Sequence, residues 1–433
     1  MKAYERYKDS CVAWLGKIPE HWEMRRLKNC IISREAGAWG IDEQNNRNDI
    51  ICLRVADFDY QNFIFKNNAK FTIRNYDTAT IKKLLLANGD ILIEKSGGGE
   101  KTPVGRAVIF DKNYKAVFAN FIEKICTRHD IFSKYFLYAW SAFYESRYVT
   151  KYIKQTTGIQ NLDITSLFIL ENFSLPPLSE QNQIAKFLDE KISKINKLIS
   201  IRQQEISELR ELKKAIINKA VTKGDWKRVR LKNIIVNRDG GAWGDEPCNG
   251  ANDRVCMRVA DFDFHNGRLK KRNIYTIRSY SNLQINQLIL KYGDILVEKS
   301  GGGDRTPVGR AVMFDLDCPA LFANFMDRLR VNKNFITPKF FEYCWMSMYF
   351  LGTTTHYIKQ TTGIQNLDIT VLLSRELIPL PPFAEQNEIA DYLDKKCSQI
   401  DALITNHEKQ ITELNELKAR LISDAVTGKI DVR

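Results

Sequence analysis

A glycine-rich loop is the first segment of the chain whose residue types could bind a phosphate-containing partner. It reads KSGGGEKT over 95–102, and glycines let a backbone approach a ligand closely with its amides pointing outward. Lysine, serine and arginine side chains beside such a loop can contact DNA phosphates or a groove edge. We predict DNA contacts here, and the alternative is a flexible hairpin tip. The predicted residues are Lys95, Ser96, Gly98, Lys101 and Arg106.

Two catalytic patterns come close in this region, and both fail on spacing. A nucleotide-binding P-loop needs Gly, Lys and Ser or Thr in adjacent positions, but Glu100 separates Gly99 from Lys101. A nuclease core of Asp followed by Glu-x-Lys lacks its spacer, because Glu94 and Lys95 are adjacent. A strand would also place these two side chains on opposite faces. The sequence contains no Asn/Asp-Pro-Pro-aromatic methyltransferase motif either, so we predict no catalytic residues.

A second polar motif, YIKQTTGIQN at 152–161, has side chains that can read bases. Glutamine and asparagine bind adenine through two hydrogen bonds in the major groove, while lysine and threonine reach phosphates. The alternative is a structural segment in which Asp163 caps a following short helix. The predicted DNA-binding residues are Lys154, Gln155, Thr156, Thr157, Gln160 and Asn161.

A tryptophan and two arginines precede these motifs. Trp39 lies in a Gly-Ala-Trp-Gly segment, so it could stack on a DNA sugar or support its loop from inside, and the sequence leaves both open. Arg34 and Arg54 flank this segment and complete the predicted DNA-binding set.

Every one of these motifs occurs twice. Residues 89–111 repeat at 293–315 with four differences, and 152–165 repeat without change at 357–370. The period of about 205 residues corresponds to a whole domain with its connector, so the chain is a covalent pseudo-dimer. The second set of predicted DNA-binding residues is Arg238, Trp243, Arg258, Lys299, Ser300, Gly302, Arg305, Arg310, Lys359, Gln360, Thr361, Thr362, Gln365 and Asn366.

Each copy contains a globular part and a long helix. The apolar patterns predict strands at 90–94 and 106–110 and helices at 131–148 and 335–351, hence an α/β fold of mixed α+β type. We expect domain boundaries that give recognition domains at 1–174 and 225–379 and helical spacers at 175–224 and 380–433.

The spacers carry apolar residues at steps of three and four, a coiled-coil pattern that follows a Pro-Pro pair, with Ser179 as the expected N-cap. We favour antiparallel packing of the two helices on each other, which would give a pseudo-two-fold molecule with its globular parts at opposite ends. A coiled coil with another chain and two separate helices remain the alternatives. The predicted seam is Ile184, Leu188, Ile192, Ile195, Ile199, Ile206, Leu209, Leu212 and Ile216, with Ile389, Leu393, Ile400, Leu403, Ile404, Ile411, Leu414, Leu417 and Leu421 in the second helix.

Composition limits the class of protein. The 433 residues have a net charge of +13, which favours a polyanionic partner over a basic protein without one. Nine scattered cysteines without a CxxC pair indicate reduced thiols in the cytoplasm, and five histidines without an HExxH pattern argue against a zinc site. No apolar run has the length of a membrane span, and residues 1–11 do not read as a signal peptide. We expect no cofactor or metal in this chain.

The whole pattern resembles the specificity subunit of type I restriction–modification enzymes. The resemblance covers nearly the entire chain, and its markers are WLGKIPEHW at 14–22 and the motif Leu-Pro-Pro-Leu/Phe-x-Glu-Gln at 175–181 and 380–386. It implies that double-stranded DNA, two methyltransferase subunits and restriction subunits are the partners, and that S-adenosylmethionine, ATP and Mg²⁺ belong to those subunits. The residues expected to bind the partner subunits are Glu180, Gln181, Glu385 and Gln386.

The two recognition domains are more alike than the family pattern implies. Similar domains related by antiparallel spacers should read similar half-sites in inverted orientation, which predicts an interrupted, nearly palindromic target. The copies differ mainly at 41–50 against 245–254 and at 61–88 against 265–292, so differences between the half-sites should come from these segments. The alternative is a stand-alone DNA-binding or DNA-modifying protein without such partners.

Overall fold

The computed structural model describes residues 2–67, 70–155, 158–263, 267–303, 306–360 and 363–433. Five predicted DNA-binding residues lie outside the described residues: Thr156, Thr157, Arg305, Thr361 and Thr362.

The first sequence copy alternates short strands with four α-helices. Its strands are β1 (Tyr7–Asp9), β2 (Lys17–Pro19), β3 (Glu23–Arg26), β4 (Ile31–Ala36), β5 (Asp49–Leu53), β6 (Phe58–Asp59), β7 (Ile64–Phe65), β8 (Ile73–Asn75), β9 (Ile91–Glu94), β10 (Ser96–Gly97), β11 (Ala107–Ile109), β12 (Ala116–Phe118), β13 (Ile122–Thr127), β14 (Ile153–Gln155), β15 (Gln160–Leu162) and β16 (Asn172–Leu175). Its helices are α1 (Thr78–Leu84), α2 (Ser133–Glu145), α3 (Ile164–Leu170) and α4 (Leu178–Thr222).

The second copy repeats this order without counterparts of β1 and β2 among its described residues. Its strands are β17 (Arg228–Arg230), β18 (Ile235–Gly240), β19 (Asp253–Met257), β20 (Phe262–Asp263), β21 (Arg268–Leu269), β22 (Ile277–Ser279), β23 (Ile295–Glu298), β24 (Ser300–Gly301), β25 (Ala311–Met313), β26 (Ala320–Phe322), β27 (Met326–Val331), β28 (Ile358–Gln360), β29 (Gln365–Leu367) and β30 (Leu377–Pro379). Its helices are α5 (Asn282–Leu288), α6 (Pro338–Phe350), α7 (Ile369–Arg375) and α8 (Phe383–Val426). The predicted strands at 90–94 and 106–110 and the helices at 131–148 and 335–351 are confirmed as β9, β11, α2 and α6.

A four-stranded antiparallel sheet forms the centre of each globular part. In the first copy its order is β11-β9-β13-β4, and in the second it is β18-β27-β23-β25. A three-stranded sheet, β12-β5-β8, includes one parallel pair between β5 and β12. Strand β9 is buried on both faces, since its apolar residues pack alternately into two apolar clusters. Helix α2 covers one of these clusters with Tyr135, Phe136, Trp140 and Phe143.

The chain folds into two compact units that do not follow the sequence copies. Unit 1 contains 1–202 together with 409–433, and unit 2 contains 203–408. Each unit therefore takes one part of α4 and one part of α8. The boundaries expected between recognition domains and helical spacers stay a prediction.

The two long helices pack against each other inside both units. In unit 1 the apolar side of early α4, from Ile184 to Ile199, shares a core with Leu421 and Ile422 of late α8. In unit 2 late α4, including Ile217, shares a core with Leu393 of early α8. The start of one helix thus meets the end of the other in each unit. The antiparallel pairing is confirmed, and so is the mixed α and β fold class.

Two details of the helix prediction are wrong. Helix α4 begins at Leu178, and the carbonyl of Pro177 accepts from the amides of Glu180 and Gln181 at 2.9 and 3.0 Å, so Ser179 is not the N-cap. The buried face of α4 is also shifted by one residue from the predicted seam at this point, because Lys213 is buried while Leu212 is 49% exposed. Leu403 and Leu417 of α8 are likewise exposed rather than part of the seam. No helix within the described ranges is long and apolar enough to span a bilayer.

Candidate nucleic-acid interface

The two polar motifs of each copy meet in one small sheet, β10-β15-β14 in unit 1. Ser96 and Gly97 of the glycine-rich loop pair with Asn161 and Gln160 of the second motif. The Ser96 hydroxyl also bonds the Asn161 side chain at 2.7 Å. Unit 2 builds the same sheet as β24-β29-β28, and its Ser300 hydroxyl lies 2.6 Å from the Asn366 oxygen. Motifs that are far apart in sequence therefore form one surface.

Gln160 and Gln365 connect the two motifs of each unit through buried side-chain hydrogen bonds. Both side chains are buried, and the Gln160 Oε1 accepts from the amide of Val104 at 3.2 Å. Gln365 accepts from Val308 in the same way at 3.1 Å. Both glutamines therefore support the loop through a buried side-chain oxygen, and their predicted contact with DNA stays a prediction.

Gly98 and Gly302 occupy positions that require glycine. Their φ angles are +62° and +64°, in the left-handed region. A Cβ at Gly98 would lie 2.6 Å from the Val104 amide nitrogen, and one at Gly302 would lie 2.5 Å from that of Val308. The Gly99 amide donates to the Thr102 carbonyl at 3.0 Å. These contacts describe a closed turn and favour a defined binding loop over a flexible tip.

The remaining polar side chains of the glycine-rich loop and of the second motif lie on the surface around this sheet. Lys101, Lys154, Gln155 and Asn161 are exposed, as are Lys359, Gln360 and Asn366 in unit 2. The interpretation of these residues as DNA contacts remains a prediction.

Asp163 caps a helix beneath this edge. It accepts from the Ser166 amide at 3.1 Å, and Lys154 donates to its other oxygen at 2.8 Å. The Lys154 hydrogen bond, with the help of the Ser166 amide, lowers the pKa of Asp163 to about 2. Asp368 repeats the cap with Val371 and Lys359. The capping alternative for Asp163 is therefore confirmed, and Lys154 also has a local ion pair.

Arg34 and Lys95 share one carboxylate. Arg34 lies 2.9 Å and Lys95 3.8 Å from the side chain of Glu123, and Arg34 also donates to the Thr165 hydroxyl at 2.8 Å. Unit 2 repeats this cluster with Arg238 and Lys299 on Asp327, at 2.6 and 2.8 Å. Two cations on one anion leave a net positive charge, so each cluster stays attractive to phosphate while its cations are held in place.

Arg106 and Arg310 each form an ion pair with a buried carboxylate. Arg106 lies 3.0 Å from the buried carboxylate of Glu94 and 3.8 Å above the ring centroid of Tyr60. Arg310 donates twice to Glu298 at 2.8 Å. Burial raises the pKa of Glu94, and Arg106 opposes that shift. Both arginines have a structural role, because removing either would leave a buried carboxylate unpaired, and a DNA contact of these partly exposed side chains stays a prediction.

Trp39 and Trp243 lie on the surface, at 41% and 42% exposure. The guanidinium of Arg74 lies 4.7 Å from the Trp39 ring centroid, and Arg278 lies 4.9 Å from that of Trp243. Arg74 is fixed by an ion pair with Asp42, as Arg278 is by Glu246. Sequence reasoning missed these arginines, although both occupy the same repeat position.

Arg54 and Arg258 each begin a short 3₁₀ turn and pair with its last carboxylate. The distances are 3.6 Å to Asp57 and 3.5 Å to Asp261. Both side chains are partly exposed, so a DNA contact remains a prediction for them. Among the described ranges, no group of three or more His, Cys, Asp or Glu residues could hold a metal ion.

The repeat also matches a known protein family. The model of the type I restriction modification DNA specificity domain matches residues 19–208 and again 260–416. The chain belongs to this family. Family membership confirms the resemblance seen in the sequence, and this type I specificity subunit is a DNA-recognition component without catalytic function of its own.

Similar proteins agree with this assignment. The chain is 25% identical to the type I restriction enzyme MjaVIII specificity subunit of Methanocaldococcus jannaschii, over 96% of this chain and 95% of that protein. It is 24% identical to the StySPI specificity subunit of Salmonella potsdam, over 96% and 90%. A chain from a structural study of complex assembly and conformational transition in the type I R-M system has a TM-score of 0.71 at 15% identity, covering 95% of this chain and 99% of that chain. The last match supports the fold.

Proposed function

We propose that this specificity subunit reads a bipartite, nearly palindromic DNA target in the cytoplasm and holds two methyltransferase subunits on it. Restriction subunits join the same assembly, and S-adenosylmethionine, ATP and Mg²⁺ bind to the partner subunits. The observation that carries the proposal is the repetition, in unit 1 and unit 2, of the same polar sheet with the same cationic cluster beside it.

The repetition supports two related half-sites rather than two unrelated ones. Ser96, Asn161 and their counterparts Ser300 and Asn366 have matching hydrogen bonds, so side chains around them present similar donors and acceptors to DNA. The antiparallel pairing of α4 and α8 within each unit supports the proposed inverted orientation of the half-sites. Long-read sequencing of host DNA should find a methylated motif whose two halves are close inverted repeats. Two unrelated half-sites would contradict this proposal.

The lysines of the cationic clusters should contact phosphates. Replacing Lys95 and Lys299 with alanine leaves a neutral arginine–carboxylate pair in each unit, so affinity should fall for all DNA sequences. The slope of log affinity against log salt should flatten by about one unit for each phosphate that a lysine no longer neutralises. Titrations of labelled duplex at several salt concentrations measure this. Lys186→Ala, at an exposed position on α4, is the control, and an unchanged slope in the Lys95→Ala, Lys299→Ala variant would exclude these lysines from phosphate binding.

Burial argues against a partner surface at three of the four residues predicted for it, Glu180, Gln181 and Gln386. Glu180 is buried and accepts from Tyr4, His21 and Trp22 at 2.5 to 3.1 Å. The other members of the set are likewise used inside the chain: Gln181 bonds Phe132, Asp130 and Pro176, Gln386 bonds Thr337, Phe335 and Pro381, and Glu385 accepts from Trp226. These contacts support a role of the four residues in anchoring the helix starts, and a partner contact of the partly exposed Glu385 stays a prediction.

Exposed leucines of the long helices are better candidates for that surface. Leu198 and Leu403 occupy the same repeat position and are 46% and 48% exposed. Leu212 and Leu417 form a second such pair, at 49% and 51% exposure. Exposed apolar residues that recur at matching positions of both copies suit the core of a protein interface.

Aspartate at Leu198 and Leu403 should therefore weaken partner binding. A buried charge at an apolar contact costs several kcal/mol, so we expect the methyltransferase that co-purifies with the double variant to fall at least about tenfold. The amount is read from a pull-down of the complex expressed together. Ser200→Asp with Thr405→Asp adds the same charges two residues further along each helix and should leave binding unchanged. Equal recovery with both double variants would argue against the leucine surface.

A further inference from the structure

An exposed phenylalanine follows the buried strand β12 of unit 1 and the buried strand β26 of unit 2. The sequence Phe-Ala-Asn-Phe occurs at 118–121 and again at 322–325. Its first phenylalanine is fully buried, whereas Phe121 is 44% exposed and Phe325 is 54% exposed. A single exposed apolar side chain needs no explanation. The same large ring, left in water at the same position of both units, calls for one.

The backbone that carries this ring is rigidly held. The Phe121 carbonyl accepts from the amides of Lys95 and Ser96 at 2.8 and 3.4 Å, and the Phe325 carbonyl accepts from Lys299 and Ser300 at 2.9 and 3.3 Å. The turn is closed by Ile122, whose amide donates to Ala119 at 3.0 Å. These bonds tie the aromatic residue directly to the start of the glycine-rich loop.

Close packing supports the turn from the other side. A Cβ at Gly37 would lie 2.2 Å from the Ala119 carbonyl oxygen, and one at Gly241 would lie 2.2 Å from that of Ala323. Only glycine allows the backbone of the Gly-Ala-Trp-Gly segment to approach this turn so closely. The exposed ring therefore projects from a fixed base rather than from a mobile loop.

The cationic cluster of each unit adjoins this turn, because Lys95 and Lys299 belong to the clusters and their amides bond the Phe121 and Phe325 carbonyls. Phe121 lies two residues from Glu123, the carboxylate that holds Arg34 and Lys95. In unit 2, Phe325 lies two residues from Asp327, which holds Arg238 and Lys299. An exposed aromatic ring on a segment whose backbone bonds a lysine of a cationic cluster suits a DNA duplex, which has anionic strands and a stacked apolar interior.

We propose that Phe121 and Phe325 act as wedges that enter the DNA between neighbouring base pairs, one in each half-site. The proposal rests on the proposed function, and it adds a mode of contact to it. Apolar side chains inserted at a base step partly unstack it and kink the duplex by roughly 20 to 90°. The cost of unstacking depends on the step, so the wedge would also contribute to sequence preference without a hydrogen bond to a base.

Energy transfer across a bound duplex tests the wedge. The probe is a short duplex that carries the methylated motif and a donor and an acceptor dye at its two ends, and the protein is the full chain with its co-purified methyltransferase. Binding of wild type should raise the transfer efficiency, because a kink brings the ends together. Phe121→Ala with Phe325→Ala should lose most of that rise and bind about tenfold more weakly. Phe121→Leu with Phe325→Leu, which keeps an apolar wedge, should retain both properties.

Phe335→Ala is the matched control. Phe335 is 51% exposed in unit 2, but its carbonyl accepts from Gln386 at the start of α8, so its loss should leave transfer and affinity unchanged. A wild-type rise that survives the double alanine change would overturn the wedge, and so would a loss of co-purified methyltransferase from that variant, which would place the rings against protein. Failure of wild type to bind the methylated motif would instead contradict the proposed function.

Discussion

Alanine at Gly98 and Gly302 should lower the affinity for target DNA by about 100-fold, a large effect for the addition of one methyl group to each loop. Both positions have left-handed backbone angles, which cost a residue with a Cβ roughly 1 to 2 kcal/mol. The new Cβ would also lie 2.6 or 2.5 Å from the amide nitrogen that bonds Gln160 or Gln365. Because that bond joins the glycine-rich loop to the second motif, the loop must move away from the sheet.

The neighbouring glycine supplies the control. A Cβ at Gly99 or Gly303 meets nothing within 4 Å, and neither residue has a left-handed φ. Gly99→Ala with Gly303→Ala should therefore bind DNA within about twofold of wild type. Fluorescence anisotropy with a labelled duplex compares the two double variants, and circular dichroism checks that the long helices persist. Equal affinities would show that the loop conformation does not matter for binding.

The single substitutions Lys213→Met and Lys418→Met should change the free energy of unfolding in opposite directions, although the two lysines occupy the same repeat position. Lys213 Nζ lies 2.7 and 2.8 Å from the two oxygens of Asp401, and its side chain is only 6% exposed. Lys213→Met leaves that carboxylate unpaired in a mostly buried place, so it should destabilise unit 2 by about 3 kcal/mol. Hydrogen exchange followed by mass spectrometry reads the change in peptides from 203–222 and 383–408.

Lys418 has no carboxylate at the corresponding place. It donates to the Gln61 carbonyl at 2.6 Å and lies 3.3 Å from the side-chain oxygen of Asn196. Asn196 occupies the repeat position that Asp401 occupies beside Lys213. Burial lowers the pKa of Lys418 from 10.5 to about 8, despite opposing attraction from Asp59 and Glu145. The charged form is thus disfavoured by folding, and Lys418→Met should stabilise unit 1 by about 1 kcal/mol at neutral pH, after the lost hydrogen bonds are subtracted.

The same shift fixes the sign of the pH dependence. Between pH 8 and 10.5 the unfolded chain holds the Lys418 proton more tightly than the folded chain, so the Lys418 contribution to the free energy of unfolding rises with pH across this window. The advantage of Lys418→Met should therefore shrink as pH rises. Asn196→Asp gives Lys418 a carboxylate partner and should remove this pH dependence of stability. A loss of stability in Lys418→Met as large as in Lys213→Met would contradict this account.

Periodicity and the internal repeat predicted most of the architecture. Runs such as Ile91–Glu94 and the apolar steps of α4 depend on local sequence, so the strands, the helices and their pairing could be expected. The shift of the buried face of α4 at Lys213 could not be expected from the sequence, because it depends on Asp401, which lies 188 residues away. The two compact units depend on the same long-range contacts, which a linear division of the sequence does not contain.

The candidate site was predicted by residue type more reliably than by role. Lysine, asparagine and serine at 95–102 and 152–161 do lie together, since β10 at the start of the first motif pairs with β15 at the end of the second. Gln160 and Gln181 have the same polar character but form hydrogen bonds inside the fold, and only their burial distinguishes them. Phe121 carried a signal that was available in the sequence, the repeated Phe-Ala-Asn-Phe segment, but its exposure became visible only when Phe118 was seen to fill the core.

The discontinuity of unit 1 has a consequence for synthesis on the ribosome. Residues 203–408 are continuous, so unit 2 has all of its parts before residues 409–433 emerge. The first residues of unit 1 are synthesised before unit 2, but its core is completed after unit 2. Leu421 to Val426 belong to that core, and the Asp431 amide donates to the Lys2 carbonyl at 2.8 Å. The usual order, in which the amino-terminal domain matures first, is therefore reversed here. The apolar side of the first half of α4 therefore stays uncovered in the nascent chain until residues 409–433 have emerged, and chaperones or early binding of a partner could protect it from aggregation.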